Sequence, residues 1–143
     1  MVRPHRPEEP VLGFQRRLFT AARVGHVPMP DYPIYSKTYD LIAYLIPVTQ
    51  SFPKSQRFVL AKRIQDTALD FNDLLILARK VKPAERRDLL RRADAKLEML
   101  RTCLRLAMEL KFLPFGQYEH ASGMVVEVGK LLGSWRQKLE NGS

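Results

Sequence analysis

The sequence contains a single cysteine, Cys103, and it has no long apolar run. One cysteine excludes an intrachain disulfide and is typical of cytoplasmic proteins. Its leucine neighbours predict a small buried side chain rather than a nucleophile. No apolar run approaches the roughly 18 residues of a membrane span, and the N-terminus lacks the apolar segment of a secretory signal. We therefore expect a cytoplasmic protein.

Motifs of catalysis and metal binding are also missing. The three histidines do not have metal-ligand spacing, and no phosphate-binding glycine loop or nucleophile elbow is present. Asp66, Asp70 and Asp73 repeat at helical spacing, but they lie opposite an apolar stripe, where acids are solvated and pair with Lys62 or Arg63. We expect no enzymatic activity, no metal and no cofactor. An enzyme that uses these three aspartates is the alternative.

Acidic residues are scarce relative to basic ones. The 143 residues include 24 Lys and Arg against 15 Asp and Glu, which gives a formal net charge of +9. A surface with this excess attracts polyanions, because bound phosphates release their condensed counterions. A basic surface that only maintains solubility is the competing interpretation.

Proline divides the chain into two regions. Six of the ten prolines lie within residues 1–33, and proline disfavours helix in the residue before it. We expect residues 1–35 to form a flexible, Pro-rich basic arm, or to be an artefact of a start codon chosen too far upstream. Residues 36–143 form the predicted folded domain.

Helical periodicity dominates the predicted domain. Apolar residues recur at three- and four-residue steps in helices over about 37–50, 53–80, 83–113 and 115–139. Pro47 is expected to kink or shorten the first helix, whereas Pro53 and Pro83 are expected to open the second and third. Short connections and the absence of strand patterns predict an all-α, up-down four-helix bundle.

Helices two and three each carry more apolar surface than one bundle face requires. The predicted core stripes comprise Leu60, Ile64, Ala68, Phe71, Leu75 and Ala78 on helix two, and Leu90, Ala93, Leu97, Leu100, Leu104, Ala107 and Met108 on helix three. Second stripes predict a homo-oligomer interface, with the candidates Phe58, Leu69, Ile76, Met99, Leu106 and Leu110. Ser122, Gly129 and Gly133 share a face of helix four, where they allow close approach of another chain or relieve crowding within one bundle.

Basic residues concentrate on helix three and in the turn before it. Arginine binds phosphate bidentately, so a helical row can follow a nucleic-acid backbone without reading bases. The candidates are Arg79, Lys80, Lys82, Arg86, Arg87, Arg91, Arg92, Arg101 and Arg105. Pairing of Arg91 with Asp94, or of Asp94 and Glu98 with Arg101, competes with this role. An acidic protein partner is the other alternative, and no motif for sequence-specific readout is present.

Several segments in order resemble the accessory variability determinant (Avd) proteins of diversity-generating retroelements. They are Tyr-Asp-Leu at 39–41, Ser-Phe-Pro-Lys-Ser-Gln-Arg-Phe at 51–58, and further matches at 68–70, 97–101, 104–107, 117–121 and 127–135. The resemblance covers about residues 37–138 and excludes the arm. Avd proteins belong to a wider group of four-helix-bundle proteins that includes those encoded by ribosomal-RNA intervening sequences.

The resemblance implies a non-catalytic, pentameric partner of a reverse transcriptase. Such a protein associates with the polymerase and with template RNA or cDNA, and supports the mutagenic retrohoming that diversifies a target gene. By position, the resemblance adds Arg57 to the basic candidates and includes Arg101 and Arg105. The alternative is an interaction protein of the intervening-sequence type without a polymerase partner.

Overall fold

A computed structural model describes residues 32–142, and within them it contains four α-helices, one short 3-10 helix and no strand. The helices are α1 (Tyr32–Gln50), α2 (Leu60–Ala78), α3 (Pro83–Glu109) and α4 (Phe115–Gly142), and the 3-10 helix is Lys54–Gln56. The all-α four-helix bundle predicted from the sequence is confirmed. Most of the predicted arm lies outside the described residues. Residues 32–35 were assigned to that arm but form the first turn of α1.

Side-chain contacts between α1 and its two neighbours show that it runs antiparallel to both. The Tyr35 hydroxyl donates to the Leu75 carbonyl at 2.7 Å, and near the opposite ends of α1 and α2 the Gln65 amide donates to Thr49 Oγ1 at 2.8 Å. On the α4 side, the ring of Tyr35 packs against Trp135 with centroids 6.2 Å apart, and the ring of Tyr44, nine residues later, lies 4.6 Å from that of His120, fifteen residues earlier. The sequential helices therefore alternate in direction around the core.

The remaining helix pairs repeat this antiparallel arrangement. Lys96 of α3 pairs with Asp70 of α2 at 3.4 Å. Seven residues further along α3, Cys103 lies near Arg63, which is seven residues before Asp70 on α2. The two helices therefore run in opposite directions. The predicted core stripe of α2 is buried throughout, and in the α3 stripe only Met108 is half-buried. Burial of these stripes is the main source of stability of such a bundle. No helix in the described part of the chain is long and apolar enough to cross a membrane.

The two proline predictions have different outcomes. Pro47 lies inside α1, which reaches Gln50 as predicted, so the helix is not shortened, and a kink at Pro47 stays a prediction. Pro53 does not open α2; it precedes the 3-10 helix, and α2 begins seven residues later at Leu60. The reason is that the buried positions of α2 begin at Leu60, whereas the residues from Pro53 to Val59 are exposed or half-exposed and have no core to pack against.

The boundaries of α3 follow from local backbone chemistry. Pro83 occupies the first turn, where its missing N–H is not needed, as predicted. The helix ends at Glu109 rather than near 113, because Lys111 adopts a left-handed conformation with φ of 70°. The amides of Lys111 and Phe112 then donate to the carbonyls of Met108 and Ala107, at 3.0 and 2.9 Å. This is a Schellman cap, formed here by a residue other than glycine.

Candidate nucleic-acid and self-association surfaces

The basic turn between α2 and α3 contains both solvent-facing cations and one structural arginine. Lys80 and Lys82 are exposed, and the Arg79 guanidinium lies 4.7 Å from the centroid of the Tyr35 ring. Arg86 instead points back toward the end of α2. Its Nε and its terminal nitrogen donate to the carbonyls of Ala78 and Val81, at 2.6 and 2.5 Å. Arg86 thus satisfies one carbonyl at the C-terminal end of α2 and one in the turn that follows it.

The predicted arginine row on α3, which comprises Arg87, Arg91, Arg101 and Arg105, follows the seam between α3 and α4. Arg87 lies 3.4 Å from Glu140, and the guanidinium of Arg101 lies 2.9 Å from the position that a Cβ on Gly129 would occupy. Between them, Asp94 pairs with Arg136 at 3.5 Å. One edge of the row is therefore formed by α4, which sequence analysis of α3 alone did not reveal.

Most arginines of this row have carboxylate partners, although not the predicted ones. Arg91 pairs with Asp88, and Arg105 donates to Glu109 at 3.0 Å. The hydrogen bond and charge attraction to Glu109 raise the pKa of Arg105. The predicted pairs of Arg91 with Asp94, and of Arg101 with Asp94 or Glu98, do not form.

These pairs are weakly held because both partners face solvent. In the pair between Arg105 and Glu109 the side chains are 71% and 52% exposed, and in the pair between Arg91 and Asp88 they are 69% and 49% exposed. Exposed ion pairs of this kind contribute little to stability, because water screens their attraction. Arg101 has no carboxylate within ion-pair distance among residues 32–142. Arg92 is 3.8 Å from Asp88 and is also exposed.

The first turns of α3 and the last turns of α4 also form a small cavity of about 300 Å³. Arg87, Arg91 and Arg136 line it together with Asp88 and Glu140. Two carboxylates already balance part of its positive charge. The cavity therefore adds little to the arginine row as a phosphate-binding feature.

Arg57 lies apart from the other candidates. It follows the 3-10 helix at the opposite end of α2 from the basic turn, and its guanidinium is 6.0 Å from the centroid of the Phe58 ring. No carboxylate pairs with it among the described residues. The predicted nucleic-acid candidates therefore occupy both ends of the bundle and the α3–α4 seam, rather than one continuous patch.

The predicted self-association residues are mostly exposed in the single protomer, as side chains that contact another chain must be. Leu69, Met99, Leu106 and Leu110 are 38–50% exposed, and Phe58 is 76% exposed. Ile76 is partly buried against the core. Phe58 precedes α2, so it does not lie on the helical stripe with Leu69 and Ile76 that the sequence predicted.

These residues form two groups. One lies on the flank of α2 that faces α1, and the other lies on α3, beyond the opposite flank of α2. Leu69 lies one helical turn after Gln65, on the flank of α2 that contacts α1 through Thr49. Leu106 and Leu110 lie one and two turns beyond Cys103, which faces Arg63 of α2. At this end of the α2–α3 pair the sequence analysis missed exposed Val59 and Phe115. Val59 precedes the periodic part of α2, and Phe115 begins α4, so neither belongs to a helical stripe.

The aspartates of the alternative hypothesis and the cysteine lie in different surroundings. Asp66 pairs with Lys62 at 2.6 Å and Asp70 pairs with Lys96, so these acids belong to a solvated face. No group of three or more His, Cys, Asp or Glu that could hold a metal occurs within residues 32–142. Cys103 is buried, as predicted, and burial raises the pKa of its thiol, an effect that Arg63 partly opposes.

Comparison with known proteins assigns the chain to a family. The sequence profile described as bAvd-like matches residues 33–139, which include nearly all of the four helices. The chain belongs to the bAvd-like family. The Avd resemblance noted in the sequence is therefore confirmed. The match begins at Pro33, the second residue of α1.

Solved structures support the fold of this bAvd-like chain. A crystal structure of a protein of unknown function from the S23 ribosomal protein family of Bacteroides thetaiotaomicron superposes with a TM-score of 0.70. It shares 20% sequence identity, and the alignment covers 76% of this chain and 99% of that one. At this identity the likeness concerns the fold alone. No curated protein matches the chain.

Proposed function

We propose that this bAvd-like protein is a non-catalytic accessory protein of a diversity-generating retroelement. It binds the reverse transcriptase and the template RNA or cDNA in the cytoplasm and supports mutagenic retrohoming as a homo-oligomer, a pentamer by resemblance. The observation that carries the proposal is the family match over residues 33–139. The charge of +9 and the arginines along the α3–α4 seam support the nucleic-acid part.

The arginine row can exchange its carboxylates for phosphates at little cost. The exposed pairs of Arg91 and Arg105 contribute little to stability, because solvent screens both partners, whereas a nucleic-acid phosphate brings release of condensed counterions. From Arg87 to Arg105 the helical rise spans about 27 Å, enough to contact several phosphates. Because such contacts do not read bases, we expect binding without sequence specificity.

Salt-dependent RNA binding tests the arginine row. The variant Arg87→Gln, Arg91→Gln, Arg101→Gln, Arg105→Gln should bind structured RNA more weakly than the wild type. Removal of each arginine–phosphate interaction should reduce the slope of log affinity against log salt by about 0.7–0.9. Fluorescence anisotropy at several salt concentrations measures both quantities.

The matched control removes the same charge elsewhere. The control variant replaces four lysines that lie away from the arginine row with Gln, and it lowers the net charge by the same amount as the arginine variant. The four are Lys37, Lys62, Lys96 and Lys138. The control should retain most of the salt slope. Equal slopes for the two variants would mean that only total charge matters, and the row would then not be a binding site.

Co-purification with a reverse transcriptase, where one is encoded beside the gene, tests the polymerase part. Retention of the enzyme at moderate salt after nuclease treatment is the expected result. RNA binding without retention of the polymerase would favour an interaction protein of the intervening-sequence type. A neighbouring reverse-transcriptase gene with an imperfect repeat separates the two functions at the level of gene order.

A further inference from the structure

A cavity of about 540 Å³ lies at the end of the bundle where α1 gives way to the 3-10 helix. Its volume is within the range of pockets that hold small ligands, roughly 300–1,000 Å³. Its walls combine two cations, two amides and a hydroxyl with a small apolar surface from Phe52 and Ala61. The polar residues are Thr49, Gln50, Lys54, Arg57 and Gln65.

One amide in this cavity is held in place by hydrogen bonds. Thr49 is 1% exposed, and its hydroxyl lies 2.7 Å from the Leu45 carbonyl, to which it donates. The Thr49 oxygen in turn accepts a hydrogen bond from Gln65 Nε2 at 2.8 Å. This chain of hydrogen bonds fixes the side chain of Gln65, whose second N–H and carbonyl oxygen have no hydrogen-bond partner among residues 32–142. An amide that presents a donor beside an acceptor can bind the edge of a nucleobase.

The charge of the cavity is uniformly positive. Lys54 and Arg57 are exposed, and neither forms an ion pair with any carboxylate in residues 32–142. No acidic residue lines the cavity among the described residues. This distinguishes it from the 300 Å³ cavity between α3 and α4, which Asp88 and Glu140 also line. Two cations that line a cavity and hold no carboxylate of the described residues attract a phosphate more strongly than cations that already hold carboxylates.

We propose that this cavity binds the terminal phosphate of a nucleic-acid strand together with its first nucleotide. Lys54 and Arg57 hold the phosphate, and Gln65 contacts the base. A terminal monoester carries about −1.5 to −2 charge and three acceptor oxygens, whereas each internal diester carries one charge. Strand-end binding rests on the proposed function, since it requires a protein that binds nucleic acid, and it adds a preference that the arginine row does not supply.

Two versions of one oligonucleotide test the inference. A short single-stranded RNA with a 3′ fluorophore carries either a 5′-phosphate or a 5′-hydroxyl, and anisotropy gives both affinities. We expect the wild type to bind the phosphorylated RNA about tenfold more tightly, the gain typical of one or two charge-assisted contacts. The variant Lys54→Gln, Arg57→Gln should bind both RNAs equally. Both side chains are exposed, so the fold should persist, and circular dichroism checks this.

The control variant Lys130→Gln, Lys138→Gln removes the same charge from α4, away from the cavity, and should retain the preference. AMP as a competitor separates the two sources of the ligand. If AMP abolishes the preference, the cavity also accepts free nucleotides, and if it does not, the site requires a strand end. Equal affinities of the wild type for both RNAs would overturn the inference and leave the proposed function standing. Absence of binding to either RNA would overturn both.

Discussion

The thiol of Cys103 lies on the side of α3 that meets α2 and is only 6% exposed. Burial disfavours the charged thiolate and raises the pKa of Cys103, while the positive charge of Arg63 opposes this effect to a smaller extent. Because the thiolate is the nucleophile, the folded protein should keep this cysteine unreactive at neutral pH.

Reaction with a disulfide reagent such as dithionitrobenzoate tests this expectation, since the chain has one thiol. The native protein should react at least about tenfold more slowly than the urea-unfolded protein, because attack needs both local opening and a thiolate. Equal rates would show that the thiol is accessible.

The same shift gives a pH dependence with a defined sign. The folded state holds the thiol proton more tightly than the unfolded state. The contribution of Cys103 to the free energy of unfolding is therefore constant below the ordinary thiol pKa of about 8.5. Stability should fall as pH rises above that value. Urea unfolding at pH 7 and pH 9.5 measures the change, and Cys103→Ala should lack this part of it.

Arg86 shows why side-chain roles differ along one basic segment. Arg86 and Arg87 are adjacent and were both predicted to contact nucleic acid. Arg86 uses its donors on the carbonyls of Ala78 and Val81, whereas Arg87 reaches across to Glu140. The sequence records the charge of each residue, but the direction of the guanidinium depends on where the preceding helix ends.

At the scale of the element, α4 presents two glycines that the sequence treats as equivalent. A Cβ on Gly129 would lie 2.9 Å from the Arg101 guanidinium and 3.5 Å from Leu97, whereas a Cβ on Gly133 would meet nothing within 4 Å. Gly129 therefore relieves crowding within one bundle. Gly133 has no such function within this chain.

Alanine substitutions separate the two glycines. Gly133→Ala should stabilise the protein by about 0.5–1 kcal/mol, because alanine loses less backbone freedom in a helix. Gly129→Ala should gain less, since its methyl group displaces the side chain of Arg101. Urea unfolding of both variants measures the difference. A loss of stability in Gly133→Ala monomers would contradict the open surroundings at this position.

At the scale of the whole molecule, exposed apolar side chains remain on two flanks after the core has formed. Leu69 and Leu106 are each 44% exposed and lie on different sides of α2. Single exposed leucines such as Leu69 are ordinary, whereas the exposed pair Leu106 and Leu110 beside a filled core supports the proposed contact with another chain. Two separate flanks would allow each protomer to contact two neighbours, as a ring requires.

Light scattering tests self-association. Leu69→Glu with Leu106→Glu should convert an oligomer into helical monomers, because each change places a charge in the proposed interface. Ile76 is unsuitable for this test, since it packs against the core. Leu77→Glu is the control, since Leu77 is 47% exposed but outside the predicted set. A wild-type monomer would remove the basis for the interface, and dissociation by Leu77→Glu alone would move it.

The sequence by itself determined the helical class, the four main segments and most of the core. Periodicity achieves this because burial of one helical face is a local property of residue spacing, as the fully buried α2 positions Ile64, Phe71 and Leu75 illustrate. Composition likewise determined the positive charge, and the ordered matches with Avd proteins indicated the family.

Only the tertiary structure decided which groups meet. The partner of Asp94 is Arg136 of α4 rather than a neighbour on its own helix. Gln65 lines the 540 Å³ cavity, where a hydrogen bond to Thr49 of α1 holds its side chain. The start of α2 and the end of α3 also depended on which flanking residues found a core or a left-handed cap. The ion pair of Asp94, the position of Gln65 and the start of α2 depend on contacts between helices, and the spacing of residues within one helix carries no information about these contacts. The end of α3 is a local backbone event, which apolar periodicity does not report.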